Sequence, residues 1–284
     1  MRGLSLALAL GSVSCALGSV SCPLGGALAQ DAPHRARHQP VVPFAPTIQR
    51  VRATRGVGAY KVYRFRVPLA QVQLGYTDLE MTPRLDTALE HEHAALVVNA
   101  GFFGTENEPQ GLTVADGQTL APFVRSFSGL LTVTGGRGVL HDAEALDATR
   151  AGRLATEFAI QAKPRLVVAG RVNIHSETHQ HANRTALCLR SRGRLLEVIV
   201  TQGEASTTSD GPTLLELARR LAQSGCVDAL NLDGGPSSGV AWRDRSGAHF
   251  VRPRGPLRLG IVVRPAAPRH RDSRRAPATA RHRR

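Results

Sequence analysis

The chain predicts an α+β fold: a single domain with a mainly antiparallel or mixed β-sheet core and about three helices. Three observations carry this. Short apolar or alternating runs recur along the chain, about ten of them, at strand length rather than helix length. Hairpin turn signals separate many of them, at Asp116-Gly117, Gly135 to Gly138, Ala169-Gly170 and Arg192-Gly193. Only three stretches have helical composition, and no internal repeat is present. A chain of 284 residues with 42% apolar content has ample material for one core of this kind.

The elements follow in order. From Thr47 the pattern turns to strand. Tyr60 to Val67 alternates with period 2, setting Tyr60 and Val62 against Tyr63, Phe65 and Val67, and Gln71 to Tyr76 is its expected partner. Thr82-Pro83 is expected to open a helix running to about His93, with Thr as cap and Pro in the first turn. Ala95 to Val98 reads as a buried strand that delivers Asn99, Gly101, Phe102 and Phe103. Asn99 offers a donor and an acceptor; the two rings either pack in the core or stack on a ligand.

Gly111 to Gly117 and Ser128 to Thr134 follow as strands. Asp142 to Glu157 has helical composition, and Arg165 to Ile174 reads as a hairpin. Ala186 to Leu189 and Leu195 to Thr201 are strands. Thr213-Leu-Leu-Glu216 is a capping box opening a helix whose apolar stripe is Leu214, Leu217, Ala218 and Leu221, with Gly225 at its stop. Gly239 to Trp242 and Leu257 to Val263 close the domain.

The termini differ from this body. Arg2, the apolar run from Leu4 to Leu10 and Ala27-Leu28-Ala29 read as a secretory signal, residues 1–29, with cleavage near Ala29. The expected localisation is therefore secreted or periplasmic. Residues 30–46, with four prolines, read as a linker, and 47–263 as the domain. The net charge is +14, but residues 264–284 hold eight arginines against Asp272, so about half of that charge lies in a tail predicted to be disordered. Such a tail suits an anionic envelope polymer or lipid head groups. Nucleic acid is the weaker fit for an exported chain. Cys188 and Cys226, outside the signal, either bridge or pack as buried thiols.

Two histidine clusters bear on metals. His91-Glu92-His93 falls on a helix end where neighbours splay apart. His175, Glu177, His179 and His181 share a face only if extended, and no ligand spacing of a recognised metal site is present. No metal site and no cofactor are predicted, with a divalent metal left open.

The most informative stretch is Asn231-Leu-Asp-Gly-Gly-Pro-Ser-Ser-Gly239. An apolar run from Val227 ends at Asp233, and two glycines, a proline and two hydroxyls follow. This reads as a buried strand ending in a tight turn. It is expected to gather a carboxylate, two close-set N–H groups and two Ser hydroxyls, equipment for a phosphate or a sugar. An Asp-Gly turn without chemistry is the other reading.

Taken together, these segments resemble the phosphodiester glycosidase family over roughly residues 60–263. The matching pieces come in the family's order: Val97 to Phe103, Gly111 to Val114 with Asp116-Gly117, Ala159 to Gln161 with Pro164 to Val167, Arg184 to Ala186, Thr213 to Ala218, and Ala229 to Ser238. Ala100 stands where the family usually has glycine, and Cys188 where it often has one. Bacterial members are exported, some associated with exopolysaccharide metabolism.

The resemblance implies cleavage of a sugar from a phosphodiester at the anomeric carbon. It implies Asp233 as acid/base or nucleophile, Arg184 as phosphate ligand and Asn99 as a group orienting a hydroxyl or N-acetyl. Gly101, Phe102, Phe103, Thr185, Asn231, Gly234, Gly235, Ser237 and Ser238 would line the substrate. Glycosidases usually use two carboxylates; Glu204 and Asp210 are the candidates for a second. A non-catalytic glycan-binding module of the cell envelope would use the same pocket.

Overall fold

The computed structural model describes residues 44–52, 58–176, 179–204 and 211–266. The signal, most of the linker, Glu177, Asp210 and the tail beyond 266 lie outside the described residues. In chain order the first elements are β1 (Thr47–Val51), β2 (Tyr60–Pro68), β3 (Val72–Asp78), α1 (Leu85–His91), β4 (Leu96–Asn99), β5 (Thr113–Ala115) and β6 (Gln118–Ala121). Next come β7 (Gly129–Thr134), β8 (Arg137–Asp142), α2 (Ala148–Gly152), β9 (Phe158–Ala162), β10 (Arg165–Val168) and β11 (Arg171–Val172). The last are β12 (Thr185–Arg190), β13 (Leu195–Gly203), α3 (Leu214–Gln223), β14 (Asp228–Asn231), β15 (Val240–Asp244), β16 (Gly247–Val251) and β17 (Leu259–Pro265).

The strands form three antiparallel sheets, ordered β1-β2-β13-β12-β14-β10-β11, β16-β15-β4-β17-β3 and β6-β5-β9-β7-β8. One face of each contributes to a shared core. Phe65, Leu187 and Val198 come from the first sheet, Leu96, Val98 and Val263 from the second, and Leu131 and Ile160 from the third. Each opposite face is covered by one helix. Leu217, Ala218 and Leu221 of α3 lie on Ile199, Ala186 and Ala229. Leu85 and Leu89 of α1 lie on Val97 and Val262. Ala151 of α2 packs with Leu130 and Ala159. Central strands are thus buried on both sides, which is why β4 and β12 read as continuous apolar runs. In β2 the alternation sends Tyr60 and Val62 towards α3 and Tyr63, Phe65 and Val67 into the shared core.

Turn chemistry fixes the hairpins. Asp116 and Gly117 have φ of 50° and 75°, and Gly135 and Gly136 have 58° and 74°, the paired left-handed conformations of tight hairpins. The capping box forms as expected: Thr213 Oγ1 accepts from Glu216 N, and Glu216 Oε2 accepts from Thr213 N. Cys188 and Cys226 are bridged, tying β12 to the segment between α3 and β14.

Several elements differ from expectation. β3 pairs with β17, not β2, because the chain leaves the first sheet at Pro68 through a single 3-10 turn, Leu69–Gln71. α1 starts at Leu85 rather than at Thr82-Pro83. A residue before proline is biased away from the helical region, and the Thr82 hydroxyl instead donates to Leu79 O. Helical structure in 142–157 is confined to Ala148–Gly152, with Asp147 as its cap, because the β7–β8 hairpin takes the chain as far as Asp142. β16, with few apolar residues, gave no strand signal; Asp244 Oδ1 accepting from Ser246 N sets its turn. Ordered structure also passes the expected ends of the domain: Phe44 is in the shared core and β17 runs to Pro265.

Candidate active site

β14 is hydrogen-bonded on both edges, to β12 and β10, and its last ladder contact is Leu232 N donating to Thr185 O at 2.9 Å. The turn then begins. Gly234 is extended, and a Cβ there would lie 3.1 Å from Asn183 O and 3.7 Å from Arg184 Cδ. Gly235 is left-handed at φ 59°. A short 3-10 turn, Gly235–Ser237, carries Pro236 at its start. From outside, Arg254 N and Gly255 N both donate to Pro236 O.

The N–H groups of this turn are largely engaged within the protein. Gly234 N donates to Asp233 Oδ1 at 2.8 Å, Gly235 N to Asn183 O at 2.7 Å, and Ser237 N and Ser238 N to the carbonyls of Gly234 and Gly235. The expected pair of free N–H groups is therefore not displayed, and side chains are what remain for a ligand. Asn183, absent from the sequence-derived residues, is the brace: its main chain holds Gly235 and its Oδ1 accepts from Gly203 N at 2.8 Å. A carbonyl contact leaves no residue-type signal, so only its position beside Arg184 hinted at it.

Asn99 comes from the second sheet into the same turn. Its Nδ2 donates to Asp233 O at 2.8 Å. Its Oδ1 accepts from Thr185 Oγ1 at 2.7 Å and from Gly239 N at 3.1 Å. Asn99 is 1% and Thr185 0% exposed. As they lie, both hold the Asp233 turn in place, which makes them positioning residues.

Asp233 itself is partly buried. Burial pushes its carboxyl above the ordinary aspartate range, opposed by the Ser237 hydroxyl and the Gly234 N–H. Two nearby polar atoms are buried without a partner among the described residues: Ser238 Oγ and Asn231 Oδ1. Asn231 is oriented through its Nδ2, which donates to Lys163 O and Leu232 O.

Arg184 starts β12's edge of the site. It is 8% exposed. Nη2 donates to Gln180 O at 2.7 Å and Nε to Pro212 O at 3.4 Å, both neutral carbonyls. Among the described residues no carboxylate lies within ion-pair distance of it. Burial lowers its pKa, the signature of a cation taken out of water without a countercharge. Its aliphatic part passes under Gly234, so the guanidinium and the Asp233 turn are adjacent.

The aromatic stretch is half-buried beside the core. Phe102 packs edge-on against Phe127 with centroids 5.4 Å apart, and its carbonyl accepts from Gln110 N. Phe103 bridges to Pro109, and the backbone of Gly101 passes near the carbonyls of Gln110 and Gln161. Gln161, fully buried and not anticipated, braces this region: its Oε1 accepts from Leu112 N and Val124 N. Glu204 is paired with Arg50 at 2.6 Å. His181 Nδ1 lies 2.9 Å from Gly211 O. Among the described residues no group of three or more His, Cys, Asp or Glu side chains is arranged to hold a metal.

This architecture occurs in solved structures. The catalytic domain of zebrafish N-acetylglucosamine-1-phosphodiester alpha-N-acetylglucosaminidase, auto-inhibited by its pro-peptide, is 15% identical over 81% of this chain and 85% of its own, with a TM-score of 0.61. A hypothetical protein from Synechocystis is 16% identical, covering 78% and 62%, TM-score 0.53. A putative exported protein from Burkholderia pseudomallei is 16% identical, covering 73% and 74%, TM-score 0.52. At these identities the likeness shows the fold. No curated protein sequence matches the chain. The family model for phosphodiester glycosidase matches residues 92–263, more than half the chain, and the chain belongs to that family. It is a glycoside hydrolase acting on a phosphodiester-linked sugar.

Proposed function

We propose that the chain is an exported hydrolase that releases a sugar from a sugar-1-phosphodiester of an envelope glycan or exopolysaccharide. The observation that carries this is Arg184, a buried guanidinium bonded to neutral carbonyls, beside a turn that presents Asp233. A buried cation of this kind favours an anionic ligand, and a phosphodiester oxygen supplies the missing charge. The phosphate is assigned to Arg184 and the sugar hydroxyls to Ser238 and Asn231, whose buried oxygens have no partner among the described residues.

Cleavage then breaks the bond between the anomeric carbon and the phosphate oxygen. Water adds to the carbon, and the phosphate leaves as a monoester with the bridging oxygen. Arg184 stabilises that leaving anion. Asp233 is the carboxyl placed to exchange a proton with the attacking or leaving oxygen, and burial shifts it above the ordinary aspartate range. Asn99 and Thr185 fix the turn from behind. Export is supported by the leader with its Ala27-Leu28-Ala29 site and by the disulfide, which suits an oxidising compartment.

The test is sugar release from a panel of α- and β-linked sugar-1-phosphodiesters, including N-acetylglucosamine, by the wild type and Asp233→Asn. The expected result is turnover by the wild type and a loss of about 10²- to 10⁴-fold in the variant, with circular dichroism unchanged. Equal release by both would remove Asp233 from the mechanism. No release from any substrate, with glycan binding retained, would favour a binding module.

A further inference from the structure

A cavity of about 430 Å³ lies at the seam between the second and third sheets, and none of the candidate site residues lines it. Its apolar wall comes from both sides, with Leu69, Val72 and Leu74 facing Val133 and Phe158, all buried. Its charged lining has one sign. Asp116 and Glu157 are exposed there, and no lysine, arginine or histidine lines it among the described residues. Gln73 Nε2 donates to Asp116 Oδ1 at 2.9 Å across the seam. Among the described residues neither carboxylate has a cationic partner.

The chain itself arrives at this place. β17 ends at Pro265, Ala266 N donates to Gln71 O at 2.8 Å, and Ala266 lines the cavity. The residues that follow are Ala267-Pro268-Arg269-His270-Arg271. Five extended residues span up to about 17 Å, enough to cross a cavity of this volume. Their chemistry matches the lining in order. Ala267 and Pro268 are apolar, and Arg269 and Arg271 are opposite in charge to Asp116 and Glu157. The cavity also suits a stretch of backbone. Val72, Gln73 and Leu74 belong to β3, the edge strand of its sheet, which is paired along one side to β17.

We propose that residues 267–271 fold back onto this cavity, with their two arginines against Asp116 and Glu157. The basic tail is then divided in two. Its first arginines are engaged by the domain, while Arg274, Arg275, Arg281, Arg283 and Arg284 stay available to an outside polyanion. The docked segment also ties the second sheet to the third beside the Gln73–Asp116 hydrogen bond.

The test is the amide order parameter of Arg269, His270 and Arg271 in the full chain, measured by nuclear magnetic resonance relaxation. Docked residues are expected near about 0.85, against below about 0.6 for residues 281–284. Asp116→Asn/Glu157→Gln should drop all three into the lower range, as should raised salt. Asn tolerates the left-handed backbone of position 116. A second variant leaves the domain untouched: Arg269→Ala/Arg271→Ala should speed hydrogen exchange at Val72, Gln73 and Leu74 about fivefold. Order parameters below about 0.6 at 269–271 in the wild type would overturn the proposal. So would values that neither charge variant changes. Values that fall on dilution would assign the cavity to the tail of a second copy, and would overturn it as well.

Discussion

At the scale of single residues, Asp233 sets activity against stability. Its carboxyl is raised in the folded state by burial. The proton is therefore held more tightly folded than unfolded. That contribution is fully present below the unfolded carboxyl pKa and is lost as pH rises through the folded value. Near neutrality the ionised group weighs against folding. Asp233→Asn should accordingly have a higher Tm than the wild type at pH 7, and the difference should shrink towards about pH 4; an equal or lower Tm at pH 7 would contradict the burial argument. Arg184→Lys keeps the charge but loses the planar fork, and kcat/KM should drop roughly 10- to 100-fold with the fold retained. Asn99→Ala strips partners from the Asp233 carbonyl, the Thr185 hydroxyl and the Gly239 N–H. Urea denaturation should show a loss of about 1–3 kcal/mol or more, together with reduced turnover. Asp233 drew attention in the sequence through its turn and Arg184 through the family resemblance; the structure brings the Arg184 side chain against the Gly234 backbone next to Asp233. The roles of Asn99 and Thr185 were not legible, since only geometry shows that their polar atoms are spent on the turn. Asn183 left almost no trace, because the contact it makes to Gly235 uses a carbonyl that any residue has.

At the scale of elements, the site depends on β12 and β14 ending together, so that Arg184–Thr185 lies beside Leu232–Asp233. Their register pairs Ala186 with Asn231 and Leu189 with Asp228. The Cys188–Cys226 bridge stands behind this pairing and closes a sequence separation of 38 residues. Loop-closure entropy assigns such a bridge about 4 kcal/mol. The Cys188→Ala/Cys226→Ala chain should lose stability of that order in denaturant titration, and a loss below about 1 kcal/mol would show that α3 and the ladder suffice. The hairpins and the capping box were legible because their turn and cap residues have few alternatives. The misassigned elements lacked such a constraint: the helical composition of 142–157 yielded to a hairpin, and β3 carried nothing that named its partner.

At the scale of the whole molecule, three sheets share one core and each has its own helix on the far face. The second sheet brings Asn99, the first brings Arg184 and Asp233, and the candidate site lies where they meet. The fold class was visible from short runs and turn signals, whereas the division into three sheets depends on long-range pairing that local pattern does not encode. As a glycosidase, the chain is expected to break the sugar-side bond of a phosphodiester. The most direct measurement is hydrolysis in heavy-oxygen water followed by mass spectrometry of both products. The expected result is label in the hydroxyl of the released sugar and none in the phosphate. Label in the phosphate would mean attack at phosphorus, and would contradict it.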